Sequence, residues 1–104
     1  MKLINNDIFD INLALNGIIA NKMSAKLAFK LYKIKKKIED EVLLIQKSLQ
    51  GKEEDKKEVE TVLAMENEID IEKIKASELE EVKLSMKDVF LLEKIIDFEE
   101  VENE

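Results

Sequence analysis

Five lysine side chains are spaced so that they could share one face of a helix and bind phosphate groups. They follow one another at intervals of four, four, three and four residues: Lys22, Lys26, Lys30, Lys33 and Lys37. At about 100° per residue, this spacing confines them to an arc of roughly 80°. A ridge of ammonium groups at helical pitch can follow a nucleic-acid backbone. The alternative is a solvated face whose charge is neutralised by acidic residues elsewhere in the chain.

Four acidic side chains alternate along a second segment: Glu66, Glu68, Asp70 and Glu72. In a strand, this period of two places all four carboxylates on one side. Such a row either imitates the phosphates of DNA toward a basic groove on another protein, or is ordinary surface charge that keeps a small protein soluble. The segment lacks the ligand spacing and central Gly of a Ca²⁺ loop.

The composition excludes most catalytic chemistry. The 104 residues include no His, Cys, Pro or Trp, and all 17 basic residues are Lys. The chain therefore has no thiolate nucleophile, no imidazole metal ligand and no guanidinium clamp for phosphate. We expect a protein that is not an enzyme and that uses no cofactor and no metal.

The charge is strongly segregated along the chain. Residues 1–52 contain 10 Lys and 5 acidic residues, whereas residues 53–104 contain 7 Lys and 19 acidic residues. The net charge of −7 opposes the binding of polyanions at long range. We therefore expect a protein partner, and nucleic acid is the less favoured ligand.

The secondary-structure elements that hold these lysines and carboxylates in place are predicted to be mainly α-helical. A first helix is expected over about 6–21, after the capping residues Asn5, Asn6 and Asp7. A second helix is expected over 25–50, capped by Ser24 and ending near Gly51. Its apolar stripe predicts an antiparallel helical hairpin over 6–50. The stripe comprises Leu27, Leu31, Ile34, Ile38, Val42, Ile45 and Leu49.

An acidic connector over 52–84 and a C-terminal helix over 86–97 complete a predicted single domain, 1–98. The connector is expected to hold a short helix near Val59–Met65 and a strand at Ile69–Glu72, paired with Met1–Ile4 or Glu81–Leu84 as a minor two-stranded β element. Capping-box patterns begin at Ser77 and Ser85. Residues 99–104 are expected to form a mobile acidic tail.

Two apolar features leave alternatives open. On the helical wheel, Phe29 lies far from the stripe of the second helix, so it either packs under the C-terminal helix or is an exposed anchor for a partner. The cluster Phe90, Leu91, Ile95 and Phe98 is either part of the core or a contact surface for a partner or a second copy.

The expected location is the cytoplasm, without a membrane anchor. No apolar run approaches the roughly 18–20 residues of a membrane span. The sequence begins Met1-Lys2-Leu3-Ile4, without the apolar core and cleavage site of a secretory leader.

Six segments of the chain together carry a resemblance to known proteins. They are Met1-Lys2-Leu3, Leu13-Ala14-Leu15-Asn16, Lys26-Leu27-Ala28, Tyr32-Lys33-Ile34, Glu68-Ile69-Asp70-Ile71-Glu72-Lys73-Ile74 and Ser77-Glu78-Leu79-Glu80. In this order they resemble a group of small bacteriophage and prophage proteins of unknown function. The resemblance covers most of the chain and implies phage origin and an accessory role in the host cytoplasm. It implies no catalytic residue.

Three functional hypotheses follow. The first is an accessory protein that binds a host or defence protein stoichiometrically, as an inhibitor, through its acidic face or an exposed apolar patch. The second is a phage structural or assembly factor that self-associates through the C-terminal helix. The third is a nucleic-acid or nucleotide binder that uses the lysine ridge.

Overall fold

A computed structural model of the protein describes residues 1–98, and the predicted acidic tail 99–104 lies outside the described residues. The predicted mainly α fold is confirmed. The helices are α1 (Asn5–Ile18), α2 (Ala25–Leu49), α3 (Lys56–Leu63) and α4 (Met86–Leu92), and the strands are β1 (Lys2–Ile4), β2 (Glu66–Glu68), β3 (Ile74–Lys75) and β4 (Ile96–Asp97). No helix in this part of the chain is long and apolar enough to cross a membrane.

The helix pair α1 and α2 forms the predicted hairpin, and the two helices contact each other. The predicted stripe of α2 is its buried face, from Leu27 to Ile45, and Leu49 is partly buried against the core. From α1, Ile8 and Ile11 are completely buried, as is Ile38 of α2. Burial of one continuous apolar stripe explains why α2 keeps 25 residues of helix in a chain of this size.

Both ends of α2 agree with the prediction. At the start, Ser24 Oγ accepts the backbone N–H of Leu27 at 3.2 Å. At the end, Gly51 has a φ of +82°, which is the left-handed conformation that glycine adopts at low cost after a helix. The N–H of Lys52 then donates to the carbonyl of Leu49 at 2.9 Å.

We expect Ser24→Ala to lower the free energy of unfolding by about 1 kcal/mol, because it removes the hydrogen bond from Leu27 N–H to Ser24 Oγ that caps the start of α2. The hydroxyl of Ser24 also donates to Glu81 Oε2 at 2.9 Å. Urea denaturation measures the change. The control is Ser77→Ala, since Ser77 is exposed and we expect a change within about 0.5 kcal/mol. Equal losses in both variants would show that the cap contributes nothing.

The predicted strand at Ile69–Glu72 is wrong in position. Of its two predicted partners, Met1–Ile4 contains a paired strand and Glu81–Leu84 does not. Strand β1 pairs antiparallel with β2, with Leu3 opposite Asn67. The chain then leaves the strand, because the N–H of Ile71 donates to the carbonyl of Ile69 at 2.9 Å in a tight turn. Both isoleucines are buried. The alternation that indicated a strand therefore comes from a turn that directs two isoleucines into the core.

The C-terminal helix is shorter than predicted. It begins as expected, because Ser85 and Asp88 cap each other's backbone N–H groups. It ends at Leu92, and a 3-10 turn leads into β4, where Ile96 pairs with Ile74 of β3 in parallel. Buried β-branched residues pack well on a sheet, and pairing with β3 outcompetes the helix.

The predicted capping box at Ser77 is also wrong. A 3-10 turn begins at Ala76, one residue before Ser77. The carboxylate of Glu78 accepts the backbone N–H of Lys75 at 2.9 Å, so Glu78 supports the start of the turn without help from Ser77.

Candidate functional site

The structure brings most of the sequence-predicted site residues to one groove of about 470 Å³, which we name the lysine groove. Helix α2 forms one wall, and the segment 70–78 forms the other. Four of the five ridge lysines lie here, together with Phe29 and two of the four alternating acidic residues. The charged lining consists of Lys26, Lys30, Lys33 and Lys37 on α2, and Asp70, Glu72 and Glu78 opposite.

Part of the lysine charge is matched within the chain. Lys30 Nζ lies 2.9 Å from Glu78 Oε1. Lys37 Nζ donates to the backbone carbonyl of Asp70 at 2.5 Å, and lies 3.6 Å from its carboxylate. These contacts join the acidic half of the chain to α2, and they place a carboxylate beside two of the ammonium groups that a nucleic acid would need.

The Lys30 ammonium, followed by the Lys75 backbone N–H, lowers the pKa of Glu78. Because the folded pKa lies below the ordinary value, the contact stabilises the fold above the ordinary pKa of a Glu and loses its effect as the pH falls through the folded pKa. We expect Lys30→Gln to raise the pKa of Glu78 toward its ordinary value, measured by NMR titration. Lys26→Gln is the control and should raise it less, because Lys26 is only a minor cause. Equal shifts would contradict the Lys30–Glu78 contact.

Phe29 is exposed, so packing under the C-terminal helix is ruled out. Its exposed fraction is 62%. The ammonium of Lys33 lies 5.1 Å from the ring centroid, within the range of a cation–π contact. Phe29 is therefore an apolar side chain on an otherwise basic surface.

The four alternating acidic residues do not form one row. Glu66 and Glu68 are exposed on β2, whereas Asp70 and Glu72 line the lysine groove. The N-terminal ammonium of Met1 lies 2.6 Å from Glu68 Oε2, and it lowers the pKa of Glu68. The tight turn at Ile69 separates the two pairs, which removes the geometric basis for a DNA-like line of carboxylates.

The C-terminal apolar cluster is divided in the same way. Ile95 is completely buried and Leu91 is partly buried against the core. Phe90 is 68% exposed and Phe98 is 50% exposed. The core alternative therefore holds for Ile95 and in part for Leu91, whereas Phe90 and Phe98 lie outside the core.

A second depression, which sequence reasoning missed, lies where α1 ends and α2 begins. We name it the hairpin crevice, and it has a volume of about 460 Å³. Its walls include Ile19 and Tyr32, which are 62% and 60% exposed. The lining residues are Leu15, Ile18, Ile19, Asn21, Lys22, Met23, Ala28, Leu31, Tyr32 and Lys35.

The crevice is mostly apolar, with two ammonium groups among its lining residues. Lys35 is paired with Glu39 one helical turn along α2. Lys22, the fifth ridge lysine, has no carboxylate within 4.0 Å among residues 1–98. The sequence signal that could have indicated this site is the position of Tyr32 outside the apolar stripe of α2; the first helix was predicted to run to about residue 21, but α1 ends at Ile18.

Within the described residues, no three acidic side chains are grouped so that they could hold a metal ion. The hairpin crevice and the lysine groove are two depressions in this part of the chain that combine exposed apolar side chains with lysines. Comparison of the chain with protein-family models, with curated proteins and with solved structures finds no match.

Proposed function

We propose that this protein is a non-enzymatic binding protein that forms a one-to-one complex with another protein. In this proposal, the partner inserts a large apolar side chain into the hairpin crevice. The observation that carries it is a concave apolar surface beside two side chains, Ile19 and Tyr32, that are each about 60% exposed. Such pockets, which an aromatic or aliphatic anchor can fill, are where the binding energy of protein interfaces concentrates.

The charge around the crevice specifies the partner further. Lys22 and Lys35 line the crevice, and Lys22 has no carboxylate within 4.0 Å among residues 1–98. Complementary potentials favour a partner segment that carries carboxylates beside its apolar anchor. The partner is therefore an acidic protein surface with one protruding apolar side chain.

The biological setting of the proposal comes from the sequence. The resemblance to small phage proteins favours a host or defence protein as the target and the host cytoplasm as the place of action. An inhibitor of this kind needs no catalytic group, because occupying a surface of the target is sufficient.

We expect no binding to single-stranded or double-stranded DNA or RNA, even at low salt. Two ridge lysines are engaged with Glu78 and Asp70, and the net charge of −7 repels polyanions. A gel-shift series over increasing salt measures this. A shift that weakens with salt and disappears in Lys26→Glu and Lys33→Glu would contradict the expectation and favour a nucleic-acid binder.

The proposal is tested by filling the crevice. Ala28 lines it, and we expect Ala28→Trp to reduce capture of the partner by a tagged protein at least about ten-fold, as for the loss of a central interface contact. The control, Ala64→Trp, adds the same bulk at an exposed position at the end of α3 and should capture normally.

Light scattering on the purified pair completes the test. A mass equal to one copy of each chain supports stoichiometric binding. Equal capture by both tryptophan variants would show that the crevice is not the contact site.

A further inference from the structure

We propose that the hairpin crevice binds small amphipathic carboxylates, of the chemical class of medium-chain fatty acids. In this arrangement, the alkyl chain lies on the floor of the crevice and the carboxylate pairs with the ammonium group of Lys22. The crevice has a volume of about 460 Å³, which lies within the roughly 300–1,000 Å³ of clefts that hold small molecules. Such clefts are mostly apolar, with a few polar groups that orient the ligand.

The floor of the crevice is apolar and belongs to the hydrophobic core. Leu15, Ile18 and Leu31 line it, and all three are buried. Ile19 and Tyr32 form part of the walls, and each is about 60% exposed. An alkyl chain between these walls covers apolar surface that otherwise faces water, and this favours binding in proportion to the apolar area that is buried.

The charge of the lining favours an anionic head group. Among the residues that the structure describes, Lys22 and Lys35 line the crevice and no acidic residue does. Lys35 is paired with Glu39, whereas Lys22 has no carboxylate within 4.0 Å in residues 1–98. The lysine groove differs, because three carboxylates line it beside its lysines. Of these two depressions, the crevice is therefore the one that suits a carboxylate.

The backbone on both sides of Lys22 is held in place by hydrogen bonds. The N–H of Asn21 donates to the carbonyl of Ile18 at 3.0 Å. On the other side, the N–H of Ser24 donates to Glu81 Oε1 at 2.6 Å, and its hydroxyl donates to Glu81 Oε2 at 2.9 Å. Both oxygens of Glu81 are thus engaged, and Glu81 does not line the crevice. The loop that carries Lys22 is ordered before a ligand binds, which lowers the entropic cost of binding.

The total charge of the protein favours a ligand with a single negative charge. The net charge of −7 repels an anion in proportion to the charge that the anion carries. A di- or triphosphate is therefore disfavoured relative to a monocarboxylate. The apolar floor in turn requires an alkyl chain, because a short acid such as acetate buries little apolar area. Medium-chain monocarboxylates meet both requirements.

The test is titration of the nitrogen-15-labelled protein with octanoate, followed by NMR at constant pH and ionic strength. We expect saturable shifts of the amide signals around the crevice, at Ile19, Lys22 and Ala28, with a dissociation constant of about 1 mM. Hexanoate is two methylenes shorter and should bind about ten-fold more weakly, because the apolar area that it buries is smaller. The n-octylammonium ion has the same chain with the opposite charge and should cause no saturable shift at these residues.

The role of the ammonium group is tested by Lys22→Gln, which removes the charge and keeps most of the side chain. We expect this variant to bind octanoate about five-fold more weakly, which is the upper end for an exposed ion pair. The control is Lys26→Gln, which changes the net charge equally, although Lys26 does not line the crevice, and it should bind normally. Both lysines are exposed, and circular dichroism checks that each variant is folded.

Competition between octanoate and a protein partner for the crevice is a further consequence, and it rests on the proposed function. The titration itself uses the purified protein alone, so the carboxylate site and the partner site can fail separately. Octanoate that binds as expected without reducing partner capture would support the carboxylate site and place the partner elsewhere. Shifts that do not saturate, that are equal with n-octylammonium, or that weaken equally in both lysine variants would overturn the carboxylate site.

Discussion

Ile38→Ala is expected to lower the free energy of unfolding by about 3 kcal/mol, within the range of roughly 2–5 kcal/mol for truncating a buried isoleucine. Ile38 is completely buried and lies near the middle of the apolar stripe of α2. The truncation removes three carbon atoms from a packed core and leaves a cavity that the neighbouring side chains fill only in part. Urea denaturation followed by far-ultraviolet circular dichroism measures the loss.

The matched control for Ile38→Ala is Leu43→Ala, which removes the same number of carbon atoms from the same helix. Leu43 is 60% exposed, so in dilute solution we expect a change within about 0.5 kcal/mol. The contrast tests which face of α2 is the core. Similar losses in the two variants would show that α2 is buried on both sides, contrary to the structure.

Asn5→Ala is expected to destabilise the protein by about 2 kcal/mol, because it leaves buried polar groups without partners. Asn5 is 5% exposed, and it is the buried polar residue among the core side chains of residues 1–98. Its Nδ2 donates to the carbonyl of Val62 at 2.7 Å, and its Oδ1 accepts from Asn67. One side chain thus joins the start of α1 to the end of α3 and to β2.

Asn6→Ala is the control for Asn5, because Asn6 is the next residue and is exposed. We expect it to change the free energy of unfolding by no more than about 0.5 kcal/mol. The comparison also decides between two roles for Asn5. The sequence pattern indicates a helix cap, but the residue before α1 is Ile4, and no side chain caps this helix. If the two substitutions lower the free energy of unfolding equally, Asn5 acts only at the start of α1, and its bonds to Val62 and Asn67 add no stability.

The long helix was predictable because its signals are local. The stripe from Leu27 to Leu49 repeats at helical pitch, Ser24 caps the start, and Gly51 follows the end. The strands β3 and β4 were not predictable, since they contain two residues each and exist only through mutual pairing. From the sequence, Ile95 and Ile96 could belong to a buried helix or to a buried strand. The pairing of Ile96 with Ile74 of β3 is what places Ile96 in a strand.

In the candidate site, too, the features set by neighbouring residues were predictable, whereas the contacts between distant parts of the chain were not. Helical pitch placed the lysines on one face of α2, and four of them do share the lysine groove. Their neutralising partners come from far along the chain, since Glu78 is 48 residues from Lys30 and Asp70 is 33 residues from Lys37. The hairpin crevice is formed by the ends of two helices, and the periodicity of either helix alone does not reveal it.

The most direct test of protein binding through the hairpin crevice is site-specific photo-crosslinking in cells. A photoreactive phenylalanine analogue is placed at Ile19, on the wall of the crevice, and in a second protein at Ala64 as the control. We predict an adduct from position 19 whose mass equals this chain plus one other protein, and no such adduct from position 64. Adducts that are the same from both positions, or that contain only nucleic acid or a second copy of this chain, would contradict the proposed function.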